Sequence, residues 1–130
     1  IIIGGLGPLY DELIEQAKKS PKTGDIIIIK SISNPFPVLK NSDYFILTSK
    51  YEGMPMVFFE AESMGLPAVA ASTIGSKEFM EEFGGALVED SLSGIIDGMN
   101  KCLKGEIGLL GVDFDEYNSR CISQFETLFD

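Results

Sequence analysis

The 130-residue sequence contains no histidine. Within this segment that excludes histidine-based triads, imidazole acid–base chemistry and histidine metal sites. Cysteine is nearly absent. Cys102 and Cys121 stand far apart, no C-x-x-C pattern occurs, and their neighbours are apolar. Two buried free thiols in a reducing cytoplasm are expected. Positive charge is also short: 10 Lys and Arg face 20 Asp and Glu, a net charge of −10. Nucleic-acid binding and adhesion to anionic membranes both need basic clusters, so neither partner is expected of this segment. No apolar run approaches the roughly 20 residues that span a bilayer, and no signal peptide is visible. The expected location is cytoplasmic. The chain opens on Ile1-Ile2-Ile3, without Met and already inside an apolar run. It reads as a single domain over residues 1–130, truncated at its N-terminus.

What is present is an alternation. The chain is 45% hydrophobic with nine Phe, enough for a sizeable core. Short apolar runs at Ile1–Ile3, Ile26–Ile29, Tyr44–Leu47, Pro67–Ala71 and Ala86–Val88 read as strands. Ile26–Ile29 has the continuous β-branched character of a strand buried on both faces. Helical patterns fall between and after these runs. Leu9, Leu13, Ile14 and Ala17 recur at helical spacing, with acids early and Lys18-Lys19 late. Asn34 is a candidate cap with Pro35 at the first helical position. Asp90 or Ser91 caps a helix whose apolar face is Leu92, Ile95, Ile96, Met99 and Leu103, ended by Gly105. Glu106–Val112 reads as a loop. A last helix from Asp113-Phe114 carries the stripe Phe114, Tyr117, Cys121, Phe125 and Leu128, expected to dock on the core. Strands alternating with helices imply βαβ units and a parallel sheet. The fold class is therefore α/β, a Rossmann-like three-layer α/β/α sandwich. The Gly4-Gly5-Leu6-Gly7 turn does not make a dinucleotide fingerprint, because Tyr10 stands where the third glycine should be.

One stretch organises the rest. The strand Tyr44–Leu47 runs into Ser49-Lys50-Tyr51-Glu52-Gly53-Met54-Pro55-Met56-Val57-Phe58-Phe59-Glu60-Ala61, and Gly65-Leu66-Pro67 closes the helix begun there. A loop-to-helix junction offers backbone N–H groups without helical partners, and these attract phosphate. Gly53 lets a ligand approach closely and tolerates positive φ. Pro55 suits the first helical turn. Glu60 lies one to two turns in, where a carboxylate accepts a pair of hydroxyl hydrogen bonds. The bland reading of the same residues makes Glu52 a helix cap and Glu60 a solvated surface acid.

Glu52 and Glu60, with seven residues between them, resemble the E-x7-E motif of retaining GT-B glycosyltransferases of group 1, also called family 4. Tyr51-Glu52-Gly53, Glu60-Ala61 and Gly65-Leu66-Pro67 match the surrounding text of that family. Gly4–Pro8 resembles its "GxGP" turn. Thr73-Ile74-Gly75-Ser76-Lys77-Glu78 resembles its later "GGxxE" turn, with Ile74 replacing the first glycine. The resemblance implies the C-terminal, donor-binding half of a GT-B enzyme. It implies that Glu52 contacts the donor sugar as the catalytic-site acid and that Glu60 holds the ribose hydroxyls. Amides of Gly53, Met54, Pro55, Met56 and Val57 would face sugar and phosphates, and Ile32 and Ser33 would neighbour the base. No cofactor and no metal are implied, only a nucleotide-sugar donor, such as UDP-hexose. The acceptor domain and the first βα unit of the donor domain, with its Arg and Lys, are absent from these residues. Asn34-Pro35-Phe36-Pro37 and Tyr44–Ser49 are similar to the subset serving Gram-positive wall and capsule polysaccharides, some of it associated with CDP-glycerol glycerophosphotransferases of teichoic acid synthesis. The expected function is sugar transfer to a cell-surface polysaccharide or teichoic-acid-type acceptor, with the isolated fragment inactive. A CDP-glycerol-dependent module, a non-catalytic Rossmann-like nucleotide-binding module and an acidic interaction domain remain the alternatives.

Overall fold

The computed structural model describes residues 2–4 and 7–129. The chain forms two compact units, Ile1–Pro35 and Phe36–Asp130.

In the first unit, β1 (Ile2–Gly4) and β2 (Ile27–Ile29) pair in parallel, with Ile2 opposite Ile27 and Gly4 opposite Ile29. The connection runs through α1 (Tyr10–Lys19) and a 3-10 turn at Thr23–Asp25. Parallel strands need such a crossover. Asp11 and Glu12 occupy the first turn of α1, and Lys18 and Lys19 the last, as the helix dipole favours. The burial expected for Ile26–Ile29 on both faces is not found. Ile27 is 54% exposed, and Ile28 and Ile29 are half-buried. A two-stranded pair with a single crossover helix has too little covering mass to enclose both faces. The side chains of Ile1–Ile3, and Gly5 and Leu6 of the expected Gly4–Gly7 turn, lie outside the described residues.

The second unit holds α2 (Phe36–Lys40), β3 (Phe45–Leu47), α3 (Val57–Ser63), β4 (Ala68–Ala71), α4 (Ile74–Phe83), β5 (Ala86–Val88), α5 (Leu92–Leu103) and α6 (Phe114–Glu126). The strands form a parallel sheet in the order β3-β4-β5. Side chains of a strand alternate between faces, and this sheet uses both. On one face Phe45, Leu47, Ala68 and Ala70 meet Phe58 and Phe59 of α3, Phe79 and Met80 of α4, Leu110, and Tyr117 of α6. On the other, Ile46, Val69, Ala86 and Val88 meet Ile95 and Cys102 of α5 and Ile107. The central strand β4 is buried throughout, which is why its residues are small and apolar. This is the Rossmann-like three-layer α/β arrangement with a parallel sheet.

Helix ends follow local chemistry. α3 stops at Gly65, φ +70°, where the Gly65 and Leu66 N–H groups donate to the Glu62 and Ala61 carbonyls. That is a Schellman cap, and Gly105 ends α5 in the same way. Thr73, Ser91 and Asp113 cap α4, α5 and α6 through their side-chain oxygens. α2 begins at Phe36, so Pro35 precedes that helix instead of opening it.

Three further expectations are corrected here. The packed face of α5 is Gly94, Ile95, Gly98 and Cys102, while Leu92, Ile96 and Leu103 are exposed. A Cβ on Gly98 would stand 2.8 Å from Val69 Cγ1, so the helix lies too close for large side chains. The stripe of α6 docks only at its start. Phe114 and Tyr117 meet Phe59, whereas Phe125 and Leu128 are exposed. Of the two thiols, Cys102 is buried but Cys121 is exposed, because it sits on the part of α6 beyond the docked turn.

Candidate functional site

The carboxyl ends of β3 and β4, neighbours in the sheet, lead into the two loops that carry the site. Ligands bind open α/β sheets at such ends. The loop after β3 contributes Lys50, Tyr51, Glu52 and Gly53. The residues after β4 contribute Ser72, Thr73 and Ile74. Together they line an open pocket of about 470 Å³. Its two outermost walls are apolar: Tyr51 is 92% and Ile74 80% exposed.

Of the residues expected at the site, Glu52 and Gly53 line this pocket. Glu52 is half-buried. Its carboxylate has no hydrogen-bond or ionic partner among the described residues, and neither has that of Glu60. Glu60 is half-buried in the first turn of α3 and is not one of the pocket-lining residues. Met54 and Met56 are exposed and Val57 opens the helix. Ile32 and Ser33 belong to the first unit, exposed in the segment that leaves β2.

Three details of the loop differ from expectation. Pro55 is fully buried and lies two residues before Val57, the first residue of α3, and so outside its first turn. It holds the loop to the core, and with no N–H it offers nothing to a phosphate. The Met56 N–H donates to the Met54 carbonyl, 2.9 Å away. That leaves Gly53 and Met54 as loop amides with no acceptor among the described residues. Finally, Gly53 does not adopt positive φ, and a Cβ there would meet nothing within 4 Å. The protein itself does not require glycine at 53.

The steric demand falls instead on Gly75, in the first turn of α4. A Cβ on Gly75 would lie 1.5 Å from the Gly53 carbonyl oxygen and 2.8 Å from that of Glu52. The wall formed by Ser72, Thr73 and Ile74 and this contact were not among the expected site residues. The available signal was their place directly after an apolar strand adjacent to the one that feeds Glu52.

A smaller pocket of about 200 Å³ lies between α4 and α6, lined by Glu82, Phe83, Gly111, Asp113, Glu116, Tyr117 and Arg120. Arg120 pairs with Glu82 and lies over the Tyr117 ring. Burial, then a hydrogen bond with Cys121, pushes the Tyr117 phenol up from its ordinary value. This cluster fastens the start of α6. Among the described residues no group of three His, Cys, Asp or Glu could hold a metal ion, and no helix is long and apolar enough to cross a membrane.

A parallel sheet with its open pocket at the strands' carboxyl ends defines a Rossmann-like α/β protein. The particular family follows from comparison. The chain belongs to the glycosyl transferases group 1 family, whose model matches residues 1–122. It is 33% identical over 90 residues to the UDP-Gal:alpha-D-GlcNAc-diphosphoundecaprenol alpha-1,3-galactosyltransferase of Escherichia coli, covering 68% of this chain and 23% of that protein. It is 30% identical over 77 residues to EpsF of Bacillus subtilis (strain 168), which carries a glycosyltransferase name, covering 59% and 20%. It is 34% identical over 70 residues to the amylovoran biosynthesis glycosyltransferase AmsD of Erwinia amylovora, covering 54% and 20%. The chain thus spans about a fifth of the length of these curated relatives.

Proposed function

We propose that this chain supplies the donor-binding part of a retaining glycosyltransferase that moves a hexose from a nucleotide-sugar, UDP in the first instance, to a growing cell-surface polysaccharide. The observation that carries the reading is the pocket at the ends of β3 and β4, lined by Glu52, whose carboxylate has no partner among the described residues, and by Gly53, whose amide has no acceptor among them. The Met54 amide, next in the loop, is likewise without an acceptor among the described residues. Amides without acceptors suit a diphosphate, and a carboxylate suits sugar hydroxyls. The family match and the polysaccharide names of relatives support the reaction class. A relative named for UDP-Gal supports UDP. A teichoic-acid-type acceptor is the narrower form of the same proposal and rests on the Asn34–Pro37 and Tyr44–Ser49 resemblance alone.

In this reading Glu52 acts on the donor sugar. Glu60 holds the ribose. Gly53, Met54 and the start of α3 face the phosphates. No metal is needed. The reaction takes place in the cytoplasm, and the acceptor is held by a part of the protein outside these residues. The isolated 130-residue chain binds a nucleoside diphosphate weakly and transfers nothing, because positioning of the acceptor supplies much of the rate.

Glu60 provides the test. Hydrogen bonds to a charged group contribute about 1.5–3 kcal/mol. Glu60→Ala in the full-length protein therefore weakens UDP binding about tenfold or more, while Glu52→Ala lowers sugar transfer with a smaller effect on UDP. Calorimetry giving wild-type UDP affinity for Glu60→Ala would remove the ribose assignment.

A further inference from the structure

We infer that Gly75 is a positioning residue for the donor reaction: the bare backbone of the first turn of α4 is the stop against which the Glu52-Gly53 loop rests. The inference rests on the proposed function for its catalytic consequence and on packing alone for its geometry. Two loops must converge to make the pocket, and each follows a different strand. The loop after β3 has no regular hydrogen bonding of its own between Leu47 and Met54. What fixes its depth is contact. The Gly53 carbonyl oxygen, the Gly53 carbonyl carbon and the Glu52 carbonyl oxygen all come within 2.8 Å of the place where a Cβ on residue 75 would stand.

The stop is itself rigid. Thr73 Oγ1 accepts from the Ser76 N–H at 3.1 Å and donates to Ser76 Oγ at 2.9 Å. Gly75 and Ser76 are both buried, and Phe79, one turn on, is packed among Phe58, Phe59 and Phe83. α4 therefore cannot withdraw without opening the core. A side chain at 75 moves the loop and not the helix. The Gly53 carbonyl has to retreat by about 1.5 Å to leave the 3.0 Å that real contacts respect. Glu52 shifts with it. A misplacement of about 1 Å at a reacting centre costs on the order of a hundredfold in rate. Glu60 does not line this pocket, so the ribose contact survives, while the Met54 amide, in one peptide plane with the Gly53 carbonyl, shifts with the loop and weakens the diphosphate contact.

The test uses full-length Gly75→Ala, with Gly98→Ala as a packing control distant from the pocket. Gly98 also lacks room for a Cβ, but against Val69 and Val88 on the other face of the sheet. The expected result is a fall in kcat for sugar transfer of about a hundredfold in Gly75→Ala, with a loss of UDP affinity several times smaller, because the ribose contact of Glu60 is kept. Gly98→Ala lowers the melting temperature and leaves both kinetic quantities alone. A crystal structure of Gly75→Ala shows the Gly53 carbonyl displaced. An undisplaced carbonyl, or equal losses of turnover and UDP affinity, overturns the inference. If Gly75→Ala does not fold, Ser76→Ala takes its place: it loosens the stop from behind without touching the pocket and lowers kcat severalfold, and unchanged turnover there overturns the inference as well. A displaced carbonyl in a protein that binds no UDP even as wild type would leave the loop stop standing and bring down the donor reading instead.

Discussion

Helices α3 and α6 both carry aromatic residues, and they end up in opposite surroundings. α3 has seven residues and buries Phe58, Phe59 and Ala61. α6 has thirteen and buries none completely. The difference lies in what each helix follows. α3 is held between two adjacent strands of the sheet, fed by β3 and released into β4 through the Schellman turn at Gly65. Its direction is imposed at both ends, and one side must lie on the strands. α6 follows a long irregular segment and is tied only at its start, by Asp113, by the Phe114 and Tyr117 contacts with Phe59, and by the Arg120–Glu82 pair. An apolar stripe therefore states that a helix has a face to cover. The connections at its ends decide whether this chain covers it.

The sharpest way to test that contrast is to cut into α3. Phe58 is fully buried and touches the rings of Phe45 and Phe79, at centroid distances of 5.9 and 5.0 Å. Phe58→Ala removes those contacts and leaves a cavity between α3 and β4 that small alanines cannot fill. The expected loss is about 3–5 kcal/mol, measured by denaturant unfolding. A loss below about 1.5 kcal/mol would mean that α3 is not held as tightly as its two ends imply.

An intermediate effect is expected at Glu62, also on α3. One carboxylate oxygen, Oε2, is buried without a hydrogen-bond partner. Burial, the larger influence, raises its pKa above the ordinary value of 4.5, and the Val112 backbone opposes this. A raised folded pKa means the folded protein holds the proton more tightly than the unfolded chain. The associated stability is present below about pH 4.5 and is lost as pH rises through the raised value. Glu62→Gln removes the titration. It should make the protein more stable than wild type at pH 7 by about 1 kcal/mol, with the advantage shrinking toward pH 4. An advantage that is the same at both pH values would show that the carboxylate is not the cause.

Much of this architecture was legible in the sequence, because strands of three or four apolar residues set between capped helices leave few alternatives. Gly65 and Gly105 ended helices where expected, and Ser91 and Asp113 capped them. What was not legible depended on approach distance. In the sequence, Gly94 and Gly98 leave two readings open, a weakened α5 or close packing; the fold shows the second, and the larger Leu92 and Leu103 are exposed. At the site, Gly53 drew attention because it adjoins Glu52. The residue that must lack a side chain is Gly75, twenty-two positions on. A sequence shows that a glycine is present; only the fold shows which backbone comes near it. The turn at Thr73–Glu78 stood out by its resemblance to the family's "GGxxE" turn, but no spacing rule sets its start against Glu52 as a pocket wall.

The smallest effect is predicted where the contrast began, at the far end of α6. Phe125 and Phe129 stack edge to face, 5.0 Å apart, one turn from each other. Both are largely exposed, at 61% and 76%. A pair at this spacing supports a helix by about 0.2–0.5 kcal/mol, and an exposed side chain that covers nothing else contributes little beyond that. Phe125→Ser should therefore cost no more than about 0.5–1 kcal/mol, including the lower helix propensity of serine, and should leave UDP affinity unchanged. The full-length protein and the 130-residue chain, each with and without the substitution, give the reading by denaturant midpoint. Equal small losses in both would leave α6 as a helix with an uncovered end. A loss several times larger in the full-length protein alone would show that the stripe is covered there by residues outside this chain. α6 would then resemble α3 after all, with its packing partner supplied from elsewhere.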